Sequence, residues 1–295
     1  MTGKRYVEDF RIPPGSHMRV SDFDPGFKGK HSKEKALAKI DTLCERMSDL
    51  QQKLFAERKR SLLVCLQGLD AGGKDGVIKH VIGSMNPDGC RVANFKEPTQ
   101  EELAHDFLWR IEAQMPKRGE IAIFNRSHYE DVLVVRVHQL VPKAVWSQRY
   151  AQINDFERRH AANGTVILKF FLHISKEEQL KRFEQRLDDP AKRWKISESD
   201  YSEREYWADY EEAYNDVLAN CNTEQAPWFV IPANHKWFRD IAVSEIIVAT
   251  LESMNIQLPK PTVDIEQIRR KYHTAVDEDK RSKAGRKRRN RAALE

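Results

Sequence analysis

The residues best suited to chemistry form one run, Gly68-Leu69-Asp70-Ala71-Gly72-Gly73-Lys74-Asp75-Gly76. It fits G-x-x-x-x-G-K, with Asp75 where Ser or Thr is usual. Gly68, Gly72, Gly73 and Gly76 let backbone N–H groups converge on phosphate oxygens, and a helix opening behind them adds a favourable partial charge. Lys74 supplies a point charge to bridging and terminal oxygens. The hydroxyl usual at position 75 touches Mg²⁺; a carboxylate does so only with different geometry. Asp75 also suits the first turn of a helix, and Asp70 suits a turn in which it bonds its own backbone. Two acids beside a phosphate site make better sense when a cation bridges them, so Mg²⁺ is expected.

A second constellation follows a later apolar run: Asn125, Arg126 and Glu130. Ligands gather at the carboxyl ends of parallel strands, which brings these three towards the loop. Arg126 offers a planar fork for phosphate oxygens, or else a surface ion pair. Asn125 and Glu130 serve equally as a helix cap and a first-turn acid. His128 reads as a packing or hydrogen-bonding histidine, because an ionised phosphate acceptor needs no general base. Lys181, Arg182, Arg186, Lys192, Arg193 and Lys195 place six cations in fifteen positions, opposed by Glu184, Asp188 and Asp189. That is a solvated helix face with i,i+4 pairs, or a mobile lid that brings cations over a polyanion. Asp189-Pro190 breaks the helix there. Trp194, Tyr206, Trp207, Tyr210 and Tyr214 read first as packing residues, with stacking on a base as the alternative.

The elements that position these groups are legible from pattern. Ser61–Gln67 is a short apolar run ending in glycine, a buried strand. Further strands are expected at Arg91–Phe95, Glu120–Asn125, Thr165–Ile174 and Trp228–Pro232. Helical spacing covers Lys33–Arg60, Lys74–Ser84, Gln100–Gln114, Glu130–His138, Ala144–Ala161, Lys176–Leu187, Glu203–Ala219 and Trp237–Met254. Strands alternating with helices predict an α/β fold, a parallel sheet flanked by helices in three layers. Residues 1–33, rich in Pro, Gly and Asp, read as an extended arm. Residues 34–258 form the domain, with a helical lid at about 181–210, and 259–295 a polar, basic tail expected to be disordered.

The chain has 295 residues and a formal charge of +5, with 40% hydrophobic residues, enough for a sizeable core. Residues 280–295 hold eight basic residues and one acid; the remainder carries 42 basic and 44 acidic residues. A globally basic nucleic-acid binder is therefore not indicated, and no specific nucleic acid is expected as a partner. The tail itself is either solvated or a polyanion contact. No apolar run reaches 18 residues, and the N-terminus lacks a signal-type apolar stretch, so no membrane span or leader is expected. Cys44, Cys65, Cys90 and Cys221 form no C-x-x-C pair and read as reduced thiols of a cytoplasmic protein.

The glycine loop, Ile123-Phe124-Asn125-Arg126-Ser127-His128-Tyr129-Glu130-Asp131, Asp188–Lys195, and Ala226-Pro227-Trp228 followed by Ile231–Trp237 together resemble the polyphosphate kinase 2 family. Nucleoside monophosphate kinases share only the first of these motifs. The resemblance runs from about Tyr6 to Met254 and implies a P-loop kinase-like fold with a helical lid and Mg²⁺. It implies phosphate transfer between inorganic polyphosphate and adenine or guanine nucleotides, and a homo-oligomer, dimer or tetramer. Asp70 resembles the family's loop carboxylate, which orients the acceptor phosphate or holds Mg²⁺; Lys74 resembles its loop lysine and Arg126 its phosphate-gripping arginine. Arg186, Lys192 and Arg193 resemble lid residues that hold the chain. Asn125 departs from the Asp that many members carry, and the F-N-R-S-H-Y-E-D form resembles a subgroup accepting both AMP and ADP, in which Glu130 takes over metal or acceptor duties. The expected activity is reversible transfer from polyphosphate to ADP and AMP. Its rivals are an ATP-dependent P-loop kinase of nucleotides or small molecules, and a tail-driven polyanion binder.

Overall fold

A computed structural model of the protein describes residues 5–30 and 32–292. The chain divides into two compact units, Met1–Gln257 and Leu258–Glu295. In the first, five strands form one parallel sheet: β1 (Ser61–Gln67), β2 (Cys90–Asn94), β3 (Ile121–Asn125), β4 (Thr165–His173) and β5 (Trp228–Pro232). Their order is β2-β3-β1-β4-β5. The chain runs from β1 out to the edge at β2, returns through β3, then crosses to β4 and β5. β1 therefore lies at the centre, and the sheet's carboxyl edge beside it is where such folds bind ligands.

The α-helices are α1 (Arg5–Phe10), α2 (Lys33–Glu57), α3 (Lys74–His80), α4 (Gln100–Leu103), α5 (Trp109–Glu112) and α6 (Val134–Val137). After them come α7 (Lys143–Ala162), α8 (Lys176–Asp188), α9 (Ser199–Ser202), α10 (Trp207–Asn220), α11 (Lys236–Ser253) and α12 (Ile265–Ala292). Side chains alternate across each strand, so β1 feeds both faces of the sheet. Leu62, Val64 and Leu66 pack with Leu50 and Leu54 of α2, Val77 of α3 and Ile246 of α11. Leu63 and Cys65 point the other way, towards Phe156 of α7 and Phe124. On that second face Phe171 and Val230 pack with Tyr214 and Val217 of α10. Every residue of β1 is buried, which is why its sequence runs apolar without alternation.

Three expectations need correction. The arm is not merely extended. It opens with a helix whose Tyr6 and Phe10 are buried against Phe238, and Arg11 bridges Phe229 at the free edge of β5. Aromatic burial outweighs the Pro and Gly content there. Gln100–Gln114 is two short helices, because Asp106 turns the chain by accepting from the N–H of Leu108 at 3.0 Å. The tail is helical rather than disordered over Ile265–Ala292. Asp264 caps it, accepting from the N–H of Glu266 and Gln267 at 2.9 and 3.1 Å, and the segment has no proline and is rich in Arg and Lys, both good helix formers. Residues 293–295, the side chains from 284 onwards and residues 1–4 lie outside the described residues, so most of the basic run and the start of the chain do too.

Candidate active site

The loop between β1 and α3 is shaped by its glycines and two packing arginines. Gly72 lies so close to the Leu69 carbonyl that a β-carbon would sit 2.8 Å from it. Gly73 has φ of 106° and precedes the first turn of α3. Ala71 and Arg126 also hold positive φ, 59° and 62°, an uncommon conformation for residues with side chains and one that clusters at functional sites. Lys74 Nζ donates to the carbonyl of Gly68 at 2.5 Å, within its own loop. Burial holds its pKa below the usual lysine range, and the Arg126 charge adds to that.

Arg126 extends β3, its N–H bonded to the Leu66 carbonyl at 3.1 Å. Its guanidinium donates to Asp70 Oδ1 at 3.1 Å and lies 4.0 Å from Glu130 Oε2. Burial opposes the Arg126 charge, but Glu130 and Asp70 outweigh it and hold the group more firmly protonated. Burial raises the pKa of Glu130 against the pull of Arg126 and Lys74. Asn125 Nδ2 donates to Asp75 Oδ1 at 3.1 Å and to Asn94 Oδ1 at 2.8 Å. The other oxygen of Asp75 accepts from Lys195 Nζ at 3.2 Å. The residue that replaces the usual hydroxyl thus ties β3 and the 190s segment to α3.

The Arg126 segment rests on a buried polar cluster. Lys169 Nζ donates to Glu157 Oε2 at 2.7 Å, the Tyr129 hydroxyl at 2.8 Å and the Cys221 carbonyl at 2.7 Å. Glu157 Oε1 lies 3.1 Å from His128 Nε2. Burial would favour a neutral Glu157, but Lys169 and His128 keep it ionised. Burial lowers the His128 pKa, so its imidazole stays neutral and packs away from the site.

Two clefts meet at the Asp70–Arg126 pair. The larger, about 1540 Å³, runs over the phosphate loop and the start of α11. Twelve Lys and Arg residues line it against five Asp and Glu, among them Lys74, Lys181, Arg186, Lys192, Lys195 and Lys236. The smaller, about 230 Å³, lies on the other side of the pair and is bounded by Gly68, Glu130, Trp207, Tyr210 and Tyr214. Arg193 is not brought to either cleft: its Nε donates to the Leu187 carbonyl at 2.8 Å and closes the end of α8. Trp194 does not pack; it is 77% exposed at the cleft wall, under the Lys195 ammonium. Tyr214 packs as expected, 4.0 Å from Phe171.

A model of the family described as Polyphosphate kinase 2 (PPK2) matches residues 30–259. This chain belongs to the polyphosphate kinase 2 family. An AMP/ADP-polyphosphate phosphotransferase of Meiothermus ruber is 49% identical over 266 residues, 89% of this chain and 99% of that relative. An ADP-polyphosphate phosphotransferase of Rhodopseudomonas palustris is 43% identical, over 87% of this chain and 93% of its own. The crystal structure of Polyphosphate Kinase 2 from Arthrobacter aurescens TC1 superposes with a TM-score of 0.89 at 42% identity, covering 92% of this chain and 98% of that one. The α12 unit lies beyond the part matched to the polyphosphate kinase 2 family.

Sequence reading of this polyphosphate kinase 2 chain passes over two arginines. Arg182 reads as one cation of a surface run, yet it is 5% exposed. Its Nη1 donates to the carbonyls of Ala71 and Gly72 at 2.7 and 3.3 Å, and its Nη2 to those of Ala233 and Asn234 at 2.5 and 3.1 Å. Glu178 holds Nε at 2.8 Å. Arg182 therefore clamps the loop to the end of β5. Arg239 lies against Gly73 and Gly76, where β-carbons would overlap its guanidinium. The signal available in sequence was weak: Glu178 at i−4 is the only hint that Arg182 is paired.

Proposed function

We propose that the chain transfers phosphate from inorganic polyphosphate to nucleoside di- and monophosphates, ADP to ATP and AMP to ADP, reversibly. One observation carries this reading: a cleft whose charged lining residues are mainly Lys and Arg passes over a phosphate loop and meets a second pocket at an Asp–Arg pair. A polyanionic donor fits the first cleft and an acceptor phosphate the junction. The names of the relatives from M. ruber and R. palustris support it, since both are phosphotransferases of polyphosphate. An ATP-dependent kinase would need the loop but not the cationic track.

Phosphoryl transfer asks the protein mainly for in-line positioning and charge neutralisation. Lys74 would leave the Gly68 carbonyl for the transferring group, and Arg126 would grip its equatorial oxygens. Asp70, fixed by Arg126, would orient the acceptor oxygen. Asp70 and Glu130, the carboxylates beside Arg126, are the residues that would hold Mg²⁺; among the described residues no group of three or more candidate ligands occurs. This ion commonly takes one or two carboxylates and completes its shell from substrate phosphates and water. When bound by Asp70 and Glu130 it would supply further charge neutralisation. A cytoplasmic placement belongs to the same reading, in keeping with four free cysteines. The family likeness supports a homo-oligomer.

Lys74→Ala is expected to lower turnover by about a hundred- to a thousandfold, the scale of losing a main electrostatic contact in such reactions. Asp70→Asn should lower it comparably, with the far-ultraviolet circular dichroism spectrum unchanged for both. Near-normal turnover in either variant would sink the assignment.

A further inference from the structure

Lys169 is the one charge in the apolar run 166–172 of β4. It is fully buried, its partner Glu157 on α7 is buried too, and neither lines either cleft. Its Nζ lies 5.2 Å from the centre of the Tyr129 ring and 5.5 Å from that of Trp228, so the ion pair sits among aromatic rings. Taking two opposite charges out of water often costs as much as their attraction returns, and apolar residues of similar volume serve stability as well. A pair in such a place is weak evidence for stability and points to a positional role.

That role shows in what the pair grips. Apart from a bond to the Cys221 carbonyl, its side-chain hydrogen bonds to other described residues go to two consecutive ones, His128 and Tyr129. The Tyr129 hydroxyl donates to Glu157 and accepts from Lys169, each at 2.8 Å. Arg126 stands two residues before His128, and the backbone between is tightly held. Ser127 Oγ accepts from the Tyr129 N–H at 3.3 Å and from Gln67 Nε2 at 3.0 Å, and the Ser127 carbonyl accepts from the Glu130 N–H at 3.0 Å. Arg126 has a φ of 62°, and a residue with a side chain keeps such a conformation only where its surroundings over-determine it. On one side its N–H is tied to the Leu66 carbonyl of the sheet; on the other the buried pair is the anchor.

We propose that Lys169, Glu157 and Tyr129 are positioning residues that hold the turn after β3, so that Arg126 stays on Asp70 and is aimed at the transferring phosphate. They touch neither substrate. This rests on the role given to Arg126 above. The donor cleft and its loop have separate supports, Gln179 and Arg182 of α8, so a disturbed pair is felt in the transfer step rather than in polyphosphate binding.

The test uses the full chain with Mg²⁺, ADP and long-chain polyphosphate, comparing wild type with Tyr129→Phe and with Lys169→Met/Glu157→Leu. Tyr129→Phe cuts the tether and leaves both charges paired. The double variant removes both charges together, so no lone charge is left buried and melting stays near that of the wild type. The kcat is expected to fall about fivefold in Tyr129→Phe, the scale of one hydrogen bond. In the double variant it should fall about ten- to a hundredfold, the scale of a misplaced site group. The KM for polyphosphate should stay within about twofold in both. Thermal melting shows whether each variant is folded at the assay temperature; if the double variant is not, Tyr129→Phe decides. A wild-type kcat in either folded variant, whatever its melting temperature, marks a merely structural pair and overturns the positioning role alone. A rise in the polyphosphate KM as large as the fall in kcat does the same, because it marks general loosening. A wild type that takes no phosphate from polyphosphate overturns the underlying reading as well.

Discussion

Lys74 is hydrogen-bonded to a carbonyl of its own loop and disfavoured as a cation by burial and by Arg126. An incoming phosphate removes that conflict, because it replaces a neutral acceptor with an anion. Arg126 is pre-set differently: its positive φ turns the guanidinium back onto Asp70. A third residue ties β4 to the arm. His173, at the end of β4, is pushed down to about 4 by burial, with the Phe23 backbone and Asp24 pulling the other way. A histidine depressed in the folded state contributes stability above its unfolded pKa and loses it as pH falls towards the folded value. Between about pH 7.5 and about pH 5 this amounts to roughly 2 kcal/mol. Urea denaturation should show the wild type losing that much relative to His173→Gln; a constant gap between the two would contradict it. The loop residues Gly68 to Gly76 were readable because spacing alone defines the motif. The role of Asp75 was not, because its partners Asn125 and Lys195 lie 50 and 120 positions away.

β1, β3, β4 and β5 were readable to within a residue, because a strand buried on both faces writes itself as an apolar run; β2, a partly exposed edge strand, was placed one residue late. Helices bounded by caps were equally plain: Ser32 caps α2 and Ser175 caps α8. Where the pattern misled, a local polar bond or a distant contact decided. The expected helix from Glu130 instead starts as a 3-10 turn over His128–Val132, because Ser127 accepts from the Tyr129 N–H and Tyr129 is drawn into the Lys169 cluster. The lid region keeps the two expected helices, α8 ending at Asp188 and α10 running from Trp207 to Asn220, but the segment between them folds into short turns and α9, which the pattern did not show. α8 does two jobs. Its buried side, Gln179 and Arg182, holds the carbonyls of Asp70 and Ala71, while Lys181 and Arg186 on the same helix line the cleft. Movement of the cleft wall and shape of the loop are therefore mechanically linked through one element.

The part of the chain matched to the family ends at residue 259, and the compact unit that carries the site ends at Gln257. The surplus positive charge lies beyond both. Removing residues 258–295 is therefore expected to leave turnover and the KM for ADP within about twofold, since a unit with its own core carries its own function. Loss of turnover on truncation would move the function towards the tail. The body of the enzyme is nearly neutral, so its attraction for a polyanion comes from where the cations are placed: around one cleft, over one loop, beside two helix starts. The decisive measurement is a transfer assay with Mg²⁺ in which long-chain polyphosphate is the only donor, ADP and AMP are offered separately, and nucleotides are resolved by chromatography. ATP from ADP and ADP from AMP are the predicted products. Transfer from ATP to these acceptors, with none from polyphosphate, would contradict the account and leave only a phosphate loop with an unexplained cationic cleft.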